Sequence, residues 1–286
     1  MTTEQTVLAL ITLLAATVNG AIGYGFSSIT VPVALLFYTN RILNPAIVLV
    51  EVVINWYVLV INRHSVPHIW RRVLPLLVGL LPGIAIGSYV LFVVHPGWLK
   101  FVTYVTLLPL ILLQAAGVRK PIPLRVEKAV KVPFGFGIGM LYSVTTISGP
   151  PLALLFNNQG YAKQDFRAAL GLIRAAEASL TAIAYYVLGL YNVDSAQLLP
   201  YLVPSVLLGI PLGTYLISWM DPETFRRLCM SFDALIVGFG MSRVLVELKL
   251  VPSPEAYSVL AIVAVINAYL LYQFFQRRTL WQARSR

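Results

Sequence analysis

The sequence predicts an all-α integral membrane protein, a polytopic helical bundle of two inverted-topology repeats. Each repeat holds a broken or hairpin helix pair plus three spans, and one extra span follows at the C-terminus. Three observations carry this. Of 286 residues, 58% are apolar and 11% charged, against roughly a quarter charged in soluble domains. Several apolar runs of about 20 residues, enough to cross ~30 Å of hydrocarbon, follow one another. The chain also repeats itself. Residues 20–37 (GAIGYGFSSITVPVALLF) return as residues 139–156 (GMLYSVTTISGPPLALLF), at an offset of 119 (139 − 20). Gly20 matches Gly139, Pro32 matches Pro151, and Ala34-Leu-Leu-Phe37 recurs unchanged. Residues 83–89 (GIAIGSY) return as 209–215 (GIPLGTY), and His95-Pro96 as Asp221-Pro222, both at an offset of 126 (209 − 83). Two blocks in the same order mark a duplicated unit.

The elements follow in order. Residues 7–18 and 26–37 are short apolar runs either side of the first glycine-rich stretch. Each is about half a span, so together they read as one broken helix or a hairpin of two short ones. Residues 46–61 form a span interrupted by Glu51 and Asn55, and a basic loop with Arg63, His64, His68, Arg71 and Arg72 follows. Residues 73–93 span again, His95-Pro96-Gly97 is a tight turn, and residues 98–116 close the first half. In the second half, residues 132–140 and 146–156 flank the second break. Residues 166–190 form a span with Arg167, Arg174 and Glu177, and residues 198–220 and 225–245 complete the repeat. Residues 257–275 are the extra span, before a tail with Arg277, Arg278, Arg284 and Arg286. The organisation is therefore 1–118, first repeat; 119–131, basic cytoplasmic connector; 132–250, second repeat; 251–286, extra helix and basic cytoplasmic tail.

The net charge of +10 concentrates in loop 63–72, the connector and the tail, which the positive-inside rule places in the cytoplasm. Four full spans and the second break separate connector from tail, so the break must cross an even number of times, as a hairpin does. The N-terminus then lies outside and the C-terminus in the cytoplasm. Each repeat has five helical pieces, an odd number, so the two are inverted. Secondary transporters use this plan, with a site at the repeat interface near the midplane. Basic loops without a basic aromatic face fit anionic lipid and exclude nucleic acid. The single Cys229 excludes an internal disulfide. No basic segment precedes the first apolar run, which argues against a cleaved signal peptide.

The candidate site lies at the breaks. Short helices are expected to start near Ser27 and Thr146, with Pro32, Pro150 and Pro151 in their first turns. Free N–H groups and the dipole at a helix start attract an anion. Ser27, Ser28, Thr30, Thr145, Thr146 and Ser148 add hydroxyl donors, and glycines 20, 23, 25, 139 and 149 permit close approach of backbone or ligand. The competing reading is that these small residues only pack helices. Glu51 and Glu177 coincide at the 126 offset (177 − 51), and charges at mid-span are costly and functional. They are candidates for coupling or gating, as is Asp233. Arg174 lies one turn before Glu177, so a local ion pair is expected, though Arg174 also offers positive potential to an anion. Arg167 and Lys163 sit near a helix end and are expected to snorkel. His64 and His68 have a metal-compatible spacing, but Pro67 separates them and no third ligand is near, so no metal is expected. There is no Walker motif, zinc helix or Ser/His/Asp set. No cofactor, no enzyme activity and no ATP coupling are expected.

Both glycine–proline motifs and the two-repeat layout resemble the sulfite exporter TauE/SafE family, also called toluenesulfonate uptake permeases, over residues 7–272. Thr145-Thr-Ile-Ser-Gly-Pro-Pro151 is similar to the family pattern, and Gly23-Tyr-Gly-Phe-Ser-Ser28 to a variant of its glycine-rich form. The resemblance implies transport of a sulfur-containing anion (sulfite, a sulfonate or a sulfoacetate-like compound) across the cytoplasmic, inner membrane, with export favoured over uptake. The residues themselves reach only a small anion. Alternatives are uptake of another small anion, a membrane enzyme, for which no nucleophile–base pair is seen, and a subunit of a partner complex. Expected partners are the small anionic substrate and the lipid bilayer, with a homodimer as an option.

Overall fold

The computed structural model describes residues 3–116, 124–158, 163–216 and 222–284. They form α1 (Thr3–Ile22), α2 (Phe26–Ala34), α3 (Asn40–Ile61), α4 (Val66–Val93), α5 (Pro96–Ala115), α6 (Leu124–Thr145), α7 (Gly149–Asn158), α8 (Lys163–Val187), α9 (Val193–Ala196), α10 (Leu199–Leu216), α11 (Pro222–Glu247) and α12 (Ser258–Arg284). No strand occurs among the described residues. Among the described residues, seven helices are long and apolar enough to cross a membrane. The lipid-facing surface is apolar, with Val53 and Val265 each 70% exposed, while Glu51 and Glu177 are fully buried. This is a multi-pass membrane protein.

Both halves run long helix, half-length helix, then three long helices, the four-residue α9 before α10 being an insertion in the second half and not counted among its helices. The first limb of each break is longer than the half-span expected from its apolar run. α1 has 20 residues and α6 has 22, because backbone N–H and C=O groups in hydrocarbon must be satisfied within the helix even where apolar residues run out. The second limbs, α2 with 9 residues and α7 with 10, are half-length. Residues 124–131 of the expected connector are helical and open α6. Residues 117–123 of that connector, residues 159–162 of the expected 157–165 loop, and the side chains of the C-terminal arginines lie outside the described residues.

Packing between the halves is reciprocal. The first helix of each half packs on the fourth of the other, α1 on α10 and α6 on α4. The half-helices pack on the fifth, α2 on α11 and α7 on α5, and the third helices α3 and α8 pack on each other. Small residues seal the first two contacts. A Cβ on Gly83 would lie 2.2 Å from Phe136 O, and one on Gly139 2.6 Å from Leu80 O. In the matching contact, a Cβ on Gly213 would fall 1.9 Å from Thr17 O, and one on Gly20 2.2 Å from Ile210 O. The repeated GxxxG block is thus a backbone-contact surface, the use small residues have where lipid offers no hydrophobic drive. Gly20 and Gly139 belong to this packing rather than to a ligand site.

Candidate functional site

α3 and α8 run antiparallel across the middle of the bundle. Gly171 faces Leu59, Asn55 donates to Arg174 O at 3.4 Å, and Arg174 reaches Glu51. The two matched carboxylates therefore lie in one buried cluster. Arg174 Nη2 is 2.8 Å from Glu51 Oε1, with the two side chains 3% and 0% exposed. The local Arg174–Glu177 pair expected from i,i+3 spacing is replaced by this one. Antiparallel crossing puts Glu51 opposite Arg174, and a cation surrounded by protein takes the carboxylate its planar fork can meet.

Two hydroxyls complete the cluster. Tyr142 of α6 donates to Glu51 Oε2 at 2.6 Å. Ser148, in the second break, donates to Glu177 Oε2 at 2.5 Å. Glu177 Oε1 and Arg174 Nε are buried without a hydrogen-bond partner. A buried ion pair is costly to desolvate and holds only where its remaining groups are bonded, so these two free atoms mark where the network is incomplete.

The breaks meet here. The ring of Tyr24, in the first break, lies 3.5 Å from where a Cβ on Gly149, at the start of α7, would stand. The first break turns on Gly23 (φ 92°) and Gly25 (φ 111°), and the second on Thr146 (φ 58°). α2 starts at Phe26, near the expected Ser27, but α7 starts at Gly149, so Thr145 ends α6 and Thr146 lies in the break rather than at a helix start. Pro150 and Pro151 occupy the first turn of α7 as expected, while Pro32 lies in the second turn of α2. There its carbonyl accepts from Tyr104 at 2.8 Å.

The candidate hydroxyls are buried and mostly engaged. Ser28 donates to Gly25 O, Thr145 to Leu141 O and Thr146 to Thr145 O. Thr30 Oγ1 has no partner. No hydrogen bond among the described residues joins Ser27, Ser28 or Thr30 to the Arg174 cluster. Asp233 is buried on α11 and no contact among the described residues links it to the cluster. His64 and His68 are exposed, and no group of three metal-ligating side chains occurs among the described residues.

Tyr142, Asn44, Asn55 and Tyr185 extend the site beyond the residues singled out from sequence. Asn44 donates to Val144 O at 2.6 Å, and Tyr185 donates to Ser143 O. Both grip the end of α6 just before the break. The signal for the α3 residues was present: Asn40, Asn44, Glu51, Asn55 and Asn62 recur at spacings of four and seven, which place them on one helix face.

The family model described as sulfite exporter TauE/SafE matches residues 8–241. Neither the curated proteins nor the solved structures returned a match.

Proposed function

We propose that this chain, which belongs to the sulfite exporter TauE/SafE family, is a secondary transporter that exports a small sulfur-containing oxyanion, sulfite, a sulfonate or a sulfoacetate-like compound, across the cytoplasmic membrane. The observation that carries the reading is the meeting of two broken helices, at Tyr24 and Gly149, beside a buried Arg174 whose Nε is free. The anion sits between the breaks, against Arg174 and donors drawn from Gly25, Ser27, Ser28, Thr30, Thr146, Ser148 and Gly149, with Thr145 beside it but bonded to Leu141 O. Neutral donors and one partly neutralised cation hold it without trapping it, because Glu51 already takes part of the guanidinium.

Ser148 gives the coupling. It lies on Glu177, and an anion beside an ionised Glu177 is repelled by several kcal/mol at the low effective dielectric of a buried site (about 4 kcal/mol at 4 Å with ε of 20). The anion therefore occupies this place when a proton is on Glu177, and anion and proton travel together. Glu51 holds Arg174 in place; Asp233, remote from the cluster, serves a separate gating or proton-carrying role.

Flux of a sulfonate in proteoliposomes holding only the purified chain tests this, since a sulfonate stays ionised and leaves the pH response to the protein. Acid on the loading side is expected to speed flux, and Glu177→Gln to remove that response. Absence of flux for sulfite and sulfonates alike overturns the transport reading; an unchanged pH response in Glu177→Gln overturns the coupling.

The antiparallel α3–α8 crossing also supports inverted repeats, and the basic loop 63–72 and basic tail support an N-terminus outside and a C-terminus in the cytoplasm. In a Cys229→Ser background, an impermeant thiol reagent added outside is expected to label Asp194→Cys and spare Arg278→Cys. Labelling of both from one side would sink the inverted arrangement.

A further inference from the structure

The polar faces of α3 and α8 continue past the cluster towards one end of the molecule, where they open into a cleft of about 310 Å³. On α8, Arg167, Leu170, Arg174, Glu177 and Thr181 follow at alternating spacings of three and four, one face of the helix. On α3, Asn62, Val58, Asn55 and Glu51 form the facing row. The cleft is lined by the outer members of both rows, Arg167 and Leu170 with Val58 and Asn62, and by the end of α1 at Asn19 and Gly23 and Thr214 of α10. The inner members, Arg174 and Glu51, are the buried pair.

Its lining is chemically suited to an anion. Arg167 is exposed and has no ion-pair partner among the described residues, and no carboxylate lines the cleft. Asn19 is 2% exposed and its Oδ1 has no partner, so a buried amide is left to bond whatever enters; the amide can turn either its oxygen or its N–H₂ inward. Gly23 leaves open space where a Cβ would stand, so the first break forms part of the wall. Leu170 is 2% exposed and stands one turn of α8 from Arg174, between cleft and cluster.

We propose that this cleft is a second anion site, an entry vestibule in which Arg167 and Asn19 hold a small oxyanion beside Thr214, whose own hydroxyl donates to Ile210 O, before it passes Leu170 to Arg174. It adjoins Asn62, the residue before the basic loop 63–72, and so takes its anion from the cytoplasmic side. The route rests on the transport reading above, but binding in the cleft does not. A lone cation over a concave, partly apolar wall raises the local concentration of anions, by roughly tenfold or more.

The test is thiol labelling of the detergent-purified full chain carrying Thr214→Cys and Cys229→Ser, which needs no flux. Sulfonatoethyl methanethiosulfonate is the anionic probe, and a neutral methanethiosulfonate of similar size corrects for any change in thiol reactivity. Relative to the neutral reagent, the anionic one is expected to react about tenfold faster with Arg167 present than with Arg167→Gln. Methanesulfonate is expected to slow neutral labelling only when Arg167 is present. Should Arg167→Gln fold poorly, Arg167→Lys, which keeps the charge, is expected to retain the anionic preference. Equal anionic-to-neutral ratios with arginine and glutamine, or protection that survives Arg167→Gln, overturns the vestibule. Charge-dependent labelling in a chain that carries no sulfonate flux keeps the cleft site and rejects the transport reading alone.

Discussion

The two halves share a backbone plan but not a chemistry. Glu51 and Glu177 stand at matched positions on α3 and α8, and both are fully buried. Glu51 is neutralised by Arg174 and takes a hydroxyl from Tyr142; Glu177 has Ser148 alone and keeps one oxygen free. The difference follows from single substitutions between the copies. Val48 occupies the position in α3 that Arg174 has in α8, and Gly23 and Ile29 occupy those of Tyr142 and Ser148. Both carboxylates are therefore served from the second repeat. Reciprocal helix packing brings both carboxylates into one buried cluster, and asymmetric side chains leave Glu51 in an ion pair and Glu177 with one unbonded oxygen.

The largest expected effect tests the fixed pair. Removing one partner of a buried ion pair leaves an uncompensated charge and costs about 3–5 kcal/mol. Arg174→Gln is expected to lower the thermal unfolding midpoint in detergent sharply and to abolish sulfonate flux. Glu51→Gln with Arg174→Met removes both charges and is expected to recover much of the stability but none of the flux. If Arg174→Gln proves as stable as the native chain, Glu51 is not held by charge and the division of roles between the halves fails.

The repeat and the matched carboxylates were legible because each is a pattern along the chain. Arg174's partner was not, because spacing on one helix favours Glu177 while the antiparallel crossing brings Glu51 across from another. The lengths of α1 and α6 were hidden for a similar reason. Thr3, Glu4 and Gln5 at one end, and Arg125, Glu127 and Lys128 at the other, read as loop by polarity, yet the helix runs through them. Of the site, the breaks and hydroxyls were readable, but not which hydroxyl meets which acceptor. Ser148 and Thr146 look equivalent in sequence; one bonds Glu177 and the other its own neighbour's carbonyl.

An intermediate effect tests the free carboxylate. A hydrogen bond to a charged group is worth about 1.5–3 kcal/mol, so Ser148→Ala is expected to weaken sulfonate binding by about tenfold or more. It should also shift the pH profile of flux, because Ser148 sits on Glu177. Calorimetry reads the first and proteoliposome flux the second. Thr145→Val, which removes a hydroxyl bonded to its own helix at Leu141 O, is expected to move neither much. Equal losses in the two variants would assign Ser148 no special place in the second half.

The smallest expected effect concerns the breaks themselves. The first half turns on glycines at φ 92° and 111°, and the second places Thr146 at φ 58°. A left-handed conformation costs an L-residue about 1–2 kcal/mol, and a β-branched one is an outlier there. Glycine is free of that cost but loses about 0.5–1 kcal/mol through its greater unfolded entropy. Thr146→Gly should therefore change stability by no more than about 1.5 kcal/mol, in the stabilising direction. A strained, β-branched residue in the second break, when the first break makes its turn with glycines, points to a use for its side chain. The two effects separate cleanly. A Thr146→Gly chain that melts slightly higher yet binds a sulfonate more weakly shows that the hydroxyl serves the anion at the expense of the backbone. A chain that melts higher and transports as before shows that the hydroxyl has no part in the site, and that the second break contributes through Ser148 alone.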